Sequence, residues 1–268
     1  MTGAPIARQR RHTLHFLGEI RAAAPVFLDT DVDMSAIQAH RAAVRTDGGR
    51  LSVVSYVLWA GARVLAAHPA ANAAIRGRLR PRVARYAAVS GKLALDKRIG
   101  GERVVLSAVL PDLERAGLGD IQALVDHYAG GDPETMPEFG PARSLHRLPG
   151  WLGGLAFRTG VRPLGRRAAA FGTFAVSSLG HRPVDGFYSV GGTTITLGLG
   201  RIADRPVVRD DRLAIAPVMR LSLTFDHRVI DGAEAADTLA EIKESLEAFA
   251  AEAAVSEPAA RIGVRAGA

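Results

Sequence analysis

A chain of 268 residues with 48% hydrophobic and 23% charged residues has the composition of a folded, non-fibrous protein, long enough to bury a large core. It contains no cysteine, which excludes a disulfide framework, a thiolate nucleophile and a cysteine-built metal site, so its chemistry has to come from histidine, hydroxyls or carboxylates. The formal charge of +7 admits a polyanionic partner, although an arginine- and alanine-rich coding bias produces the same charge with no partner at all.

In chain order, residues 1–24 read as a basic, mostly helical arm with no apolar core of signal-peptide length. After Pro25 the stretch VFLDTDVDM alternates, placing Val26, Leu28, Thr30 and Val32 on one face of a strand. Asp33 or Ser35 then caps a helix through about Arg45. Ser52 caps LSVVSYVLWAGARVLAAHPAANAAI, which is apolar on nearly every side up to Pro69 and therefore predicts a buried helix. From Val83 to Leu110 the pattern is that of strands, with a hairpin turn at Gly100 and Gly101, and Asp120 to Tyr128 predicts a short helix.

Residues 130–170 mix apolar residues with arginines, glycines and prolines and read as an irregular insertion, partly helical, packed over the domain or its neighbour. Membrane contact is not expected there, because glycines and prolines interrupt any long face. FGTFAVSSL, TTITLGLGRI, VVRDDRLAI and VMRLSLTF predict strands, with a turn near Asp210 and Asp211. A last helix spans about Ala233 to Ala250, and the tail after about 252 reads as loose. With no internal repeat or interdomain linker, residues 1–268 form one domain of α/β (α+β) class around a mixed sheet. No run of about 18 apolar residues occurs, so a cytoplasmic protein is expected. No helix-turn-helix, zinc-finger or aromatic-plus-basic strand pattern accompanies the charge, so nucleic acid is not an expected partner.

Two segments concentrate chemistry. In LSLTFDHRVIDGAEAADTLAEI a strand ends at Phe225 and delivers Asp226, His227 and Arg228 into a turn before the last helix, with Asp231 and Gly232 following. An imidazole titrates near neutral pH and suits general-base work. A carboxylate beside it either holds the ring or grips the arginine and so fixes the turn. In GTFAVSSLG, residues 172–180, a strand runs into a glycine turn with two hydroxyls at its end. Either serine suits a nucleophile, an oxyanion donor or a plain turn cap. The Gly-x-Ser-x-Gly elbow is absent, since Ala175 and Leu179 occupy the flanking positions.

Taken together, SLTFDHRVIDGA, GTFAVSSLG and the buried helix running into Pro-x-x-Asn resemble the acyltransferase catalytic domain of 2-oxo acid dehydrogenase complexes, a relative of chloramphenicol acetyltransferase. The resemblance runs with gaps from about Arg10 to Phe249, and residues 130–170 lack a counterpart. It implies a chloramphenicol-acetyltransferase-like two-layer sandwich that forms trimers. It implies His227 as general base, Ser177 as oxyanion donor, and Asp231 paired with Arg10 or Arg11 to brace the turn, with Gly232 as structural support. Coenzyme A or acyl-coenzyme A is the implied co-substrate, with no covalently bound lipoyl group and no metal. The implied partners are two further copies of the chain, sharing active sites at their interfaces, and a small-molecule acceptor. Without lipoyl and subunit-binding domains the chain reads as stand-alone. A dihydrolipoyl acyltransferase served by a separate lipoyl protein, and a non-catalytic scaffold of the same fold, are the alternatives.

Overall fold

Two pairs of residues in the left-handed region of backbone space shape the sheet: Gly100 and Gly101 (φ 55° and 80°), and Asp210 and Asp211 (φ 49° and 59°). Each pair makes a two-residue turn whose twist matches its flanking strands; glycine has no Cβ to clash, and aspartate is among the few other residues that tolerate this conformation. The computed structural model describes residue 3, residues 5–77 and residues 79–250. The tail expected to be loose after about 252 lies outside the described residues.

The elements are α1 (Arg11–Ile20), β1 (Pro25–Asp33), α2 (Ser35–Thr46), α3 (Val53–Ala67), β2 (Ala73–Arg76), β3 (Arg82–Arg85), β4 (Gly91–Ile99), β5 (Glu102–Leu110), α4 (Leu118–Gly130), α5 (Gly140–Arg147), α6 (Gly150–Val161), α7 (Leu164–Phe171), β6 (Phe174–Ser178), β7 (Ile195–Arg209), β8 (Arg212–Asp226) and α8 (Gly232–Glu247). Six strands form one mixed sheet in the order β1-β8-β7-β6-β4-β5, parallel at β4/β6 and β6/β7 and antiparallel elsewhere. Strands β2 and β3 pair separately.

One face of the large sheet carries the core. Phe174, Ile195, Leu197, Leu223 and Phe225 are buried there with Tyr56, Leu58 and Leu65 of α3 and Leu239, Ile242 and Leu246 of α8. Full burial of one such side chain contributes about 1.5–3 kcal/mol. As expected, Ser52 caps α3, its hydroxyl accepting the Ser55 N–H. Gly61 lets α3 approach the sheet closely, since a Cβ there would meet the Phe174 ring at 3.1 Å. Asp33 accepts the Ser35 N–H and hydroxyl at the start of α2.

The opposite face is partly roofed by α1 and α7. Lys92, one residue beyond the core-facing Gly91, extends to this side and meets the rings of Phe16 on α1 and Phe171 on α7. The two-layer sandwich thus gains a partial third layer. The segment expected to be irregular is largely helical: α5, α6 and α7 fill most of residues 140–171. Its prolines do not break these helices because they sit at their starts, Pro141 in the first turn of α5, and Pro149 and Pro163 at the N-caps of α6 and α7.

Candidate active site

Strand β8 ends at Asp226, and the next three residues are tied down from several sides. The Asp226 N–H donates to the Thr194 carbonyl (3.0 Å), the His227 N–H to the Ala24 carbonyl (2.9 Å), and the Val229 N–H to the Asp226 carbonyl (2.9 Å). The Asp226 carboxylate receives the Ala24 N–H (3.3 Å), the Arg228 N–H (3.2 Å) and the Arg228 Nε (2.8 Å). Burial alone would raise the Asp226 pKa, but the donors from Arg228 and Ala24 hold it below the ordinary carboxylate value. The same pair raises the Arg228 guanidinium above its ordinary range.

On this clamped corner the His227 side chain is 45% exposed. Its ring tilts against buried Phe225 at 5.4 Å between centroids. Nδ1 lies 3.4 Å from Asp231 Oδ1 without meeting it in a hydrogen bond, and Asp231 is itself 90% exposed, so the contact adds little stability. Nε2 makes no hydrogen bond among the described residues. Of the two tasks open to a neighbouring carboxylate, Asp231 approaches the ring and Asp226 grips the arginine.

The expected pairing of Asp231 with Arg10 or Arg11 is not made within the chain. Arg11 is drawn instead to free carbonyls at the C-terminal end of α5, donating from Nη1 to His146 (3.2 Å) and Leu148 (2.6 Å), where unpaired helix carbonyls attract a cation. Arg10 is exposed and caps α1 without a side-chain hydrogen bond. Gly232 opens α8, and a Cβ built on it meets nothing within 4 Å, so no steric need for glycine arises inside one chain.

Ser177 is half-buried on β6, opposite Gly198 of β7, which in turn faces Ser222 of β8. Ser222 precedes His227 by five positions, about 17 Å of extended strand at 3.4 Å per residue. One chain therefore does not bring Ser177 and His227 together. A surface groove of about 490 Å³ lies at the far end of β1 and β8 from His227, lined by Asp31, Asp33, Arg209, Lys243 and Glu247. Arg209 pairs with Asp33 and Lys243 with Glu247, so these charges already satisfy one another.

Sequence reasoning missed Lys92. Its side chain is buried, its Nζ donates to the Gly191 carbonyl (2.6 Å) and lies 3.8 Å from the centre of the Phe171 ring. Burial, reinforced by the nearby Arg167 guanidinium, pushes its pKa down to about 7. The only sequence signal was a lysine on the otherwise apolar opening KLAL of β4.

Residues 163–253 match the family "2-oxoacid dehydrogenases acyltransferase (catalytic domain)". Similar curated proteins include the dihydrolipoyllysine-residue acetyltransferase component of the pyruvate dehydrogenase complex from Bacillus subtilis, 56% identical over 50 residues, and its counterpart from Staphylococcus aureus, 52% identical over 50 residues. These stretches are 19% of this chain and 11% and 12% of the two relatives, so the chain matches only a small part of their length. Among solved structures, a probable dihydrolipoamide acetyltransferase from Listeria monocytogenes has a TM-score of 0.70 at 20% identity, covering 94% of this chain and 97% of its own. The dihydrolipoamide acetyltransferase of Azotobacter vinelandii also reaches 0.70, at 21% identity over 92% of this chain and 91% of its own. Residues 163–253 are therefore similar to the catalytic domain of the 2-oxoacid dehydrogenase acyltransferases, and the chain as a whole has the fold of the two acetyltransferase structures.

Proposed function

We propose that the chain is an acyltransferase that moves an acyl group from acyl-coenzyme A to a small-molecule hydroxyl or thiol, at a site shared between copies of the chain. The observation that carries this reading is His227 itself: an exposed imidazole on a rigid corner, with a carboxylate at Nδ1 and no protein partner at Nε2. A proton on Nδ1, facing Asp231, leaves the Nε2 lone pair free to accept one from the acceptor group. The acceptor oxygen or sulfur then attacks the thioester carbonyl. Ser177 of a neighbouring copy donates a hydrogen bond to the oxyanion, a contribution typically of about 100-fold or more. Collapse of the intermediate breaks the carbon–sulfur bond, and the departing thiolate recovers the proton from Nε2.

Separation of Ser177 from His227 in one chain supports a shared site, and a homotrimer meets that requirement with three equivalent interfaces. The Azotobacter vinelandii protein was studied for the catalytic roles of a serine, a histidine roughly fifty residues later and an asparagine four residues beyond that. Ser177, His227 and Asp231 follow the same order, with the histidine 50 residues after the serine against 52 there and the last residue four beyond it in both, here an aspartate. The role proposed for these three residues rests on that parallel and on the corner geometry. A second reading is favoured by the named activity of the Bacillus and Staphylococcus relatives: the acceptor is a dihydrolipoyl group on a separate protein.

Thiol release from acetyl-coenzyme A, followed with dihydrolipoamide and with a panel of small hydroxyl acceptors, tests both. Rapid turnover with dihydrolipoamide supports the second reading, and turnover with a hydroxyl alone supports the first. In either case His227→Ala should lower kcat by about 10²–10⁴-fold. An undiminished rate in that variant refutes the assigned base.

A further inference from the structure

Helix α6 leaves large apolar side chains uncovered: Trp151 is 73% and Leu155 56% exposed. They stand one helical turn apart, and Arg158 and Arg162 continue the same face over the next two turns. The helix that packs against α6, α1, exposes Leu14 and Leu17 as well. Between Glu138 and Asp185 the sequence holds seven arginines and no acidic residue. Of the two on this face, Arg162 pairs with Glu19, while Arg158 has no ion pair among the described residues.

Aromatic and aliphatic anchors flanked by guanidinium groups complement a surface that is anionic outside and apolar just beneath, which is the character of a bilayer containing acidic phospholipid. We infer that α6 is a peripheral docking helix that lies on an anionic lipid surface, with Trp151 and Leu155 at the boundary between headgroups and acyl chains. The expectation from sequence was that glycines and prolines interrupt any long face; in the structure the prolines stand at helix starts, and α6 continues through Gly153, Gly154 and Gly160. Among the described residues no helix is long and apolar enough to cross a membrane, so the contact is superficial. A second copy related by a two-fold axis fits this face less well, since that contact sets Arg158 against Arg158 on chains of formal charge +7. The inference does not rest on the acyl-transfer reading.

The chain contains two tryptophans, and Trp59 is only 5% exposed in the core, so a change in emission reports on Trp151. The full chain is mixed with vesicles of phosphatidylcholine containing phosphatidylglycerol, and with vesicles of phosphatidylcholine alone. Expected are co-sedimentation and a blue shift with the first only, binding that weakens as salt is raised, and an affinity about fivefold lower for Arg158→Gln. Leu155→Ser should also weaken binding while the circular dichroism stays unchanged, because the side chain it removes is outside the core. Absence of binding, or equal binding to both vesicles, overturns the inference. So does capture by a polyglutamate peptide with no binding to vesicles. Emission already blue-shifted in lipid-free protein, with Trp151→Ala dissociating an oligomer, would assign the face to a second copy instead.

Discussion

His227 has one carboxylate beside its ring and another locking the corner that bears it, and their environments differ. Asp231 is almost wholly exposed, whereas the Asp226 side chain is only 11% exposed and joins residues 24, 226 and 228. Replacing Asp226 with Asn keeps the shape but removes the charge that holds Arg228. This should cost about 1.5–3 kcal/mol of stability, the range for hydrogen bonds to charged groups. If the corner positions the base, kcat should also fall with KM little changed, and restoring the charge in Asp226→Glu should recover part of the rate. An Asn variant with an unaltered kcat would reduce Asp226 to a purely structural residue. The pH dependence follows from the lowered carboxyl pKa: the Asp226 contribution is complete above the ordinary carboxylate value and is lost as pH falls through the lower folded value. The spacing of Asp226, His227, Arg228 and Asp231 was readable in the sequence, but the division of tasks between the carboxylates was not. That division depends on Ala24, some two hundred residues away, reaching the same corner through the β1/β8 pairing.

Among the elements, those governed by local rules were legible and those governed by covering contacts were not. Strand alternation in β1, the Ser52 cap of α3 and the left-handed turns of both hairpins are decided within a few residues, and each appears where it was expected. Helices α5, α6 and α7 were obscured because proline and glycine signal a break unless their place in the helix is known. The face that Lys92 occupies depends on α1 and α7 folding over β4, which strand alternation cannot reveal. That roof has a thermodynamic signature. An unfolded lysine titrates near its ordinary 10.5 and the folded Lys92 at about 7, so between those values the unfolded chain holds more protons and stability rises with pH. For a single site the slope is at most about 1.4 kcal/mol per pH unit. Lys92→Met fills similar volume without the charge, so its denaturation free energy should lack this rise from pH 7 to 10. Urea titrations of both proteins across that range measure the difference directly. Equal slopes would show that the amine is better solvated than the Phe16 and Phe171 contacts indicate.

At the scale of the whole molecule, the distance between Ser177 and His227 is set by the registers of β6, β7 and β8. These are long-range pairings with no trace in either motif read alone. A site shared between copies turns this separation into a quantitative prediction. His227→Ala protein retains a good serine and Ser177→Ala protein a good histidine, so each homogeneous preparation has only damaged sites. When the two are unfolded together and refolded at equal concentration, chains assort at random. A site is intact only if the copy supplying histidine is the Ser177→Ala chain and the copy supplying serine is the His227→Ala chain. That combination occurs at about one quarter of sites in a closed cyclic assembly. Since loss of an oxyanion donor costs about 100-fold or more, this intact fraction should dominate the rate of the mixture and exceed either parent clearly. If each chain instead kept both groups for its own site, mixing would give only the average of the two parents. Activity recovering toward one quarter of the unmodified protein, set against simple averaging, decides whether the unit of function is one chain or the contact between two.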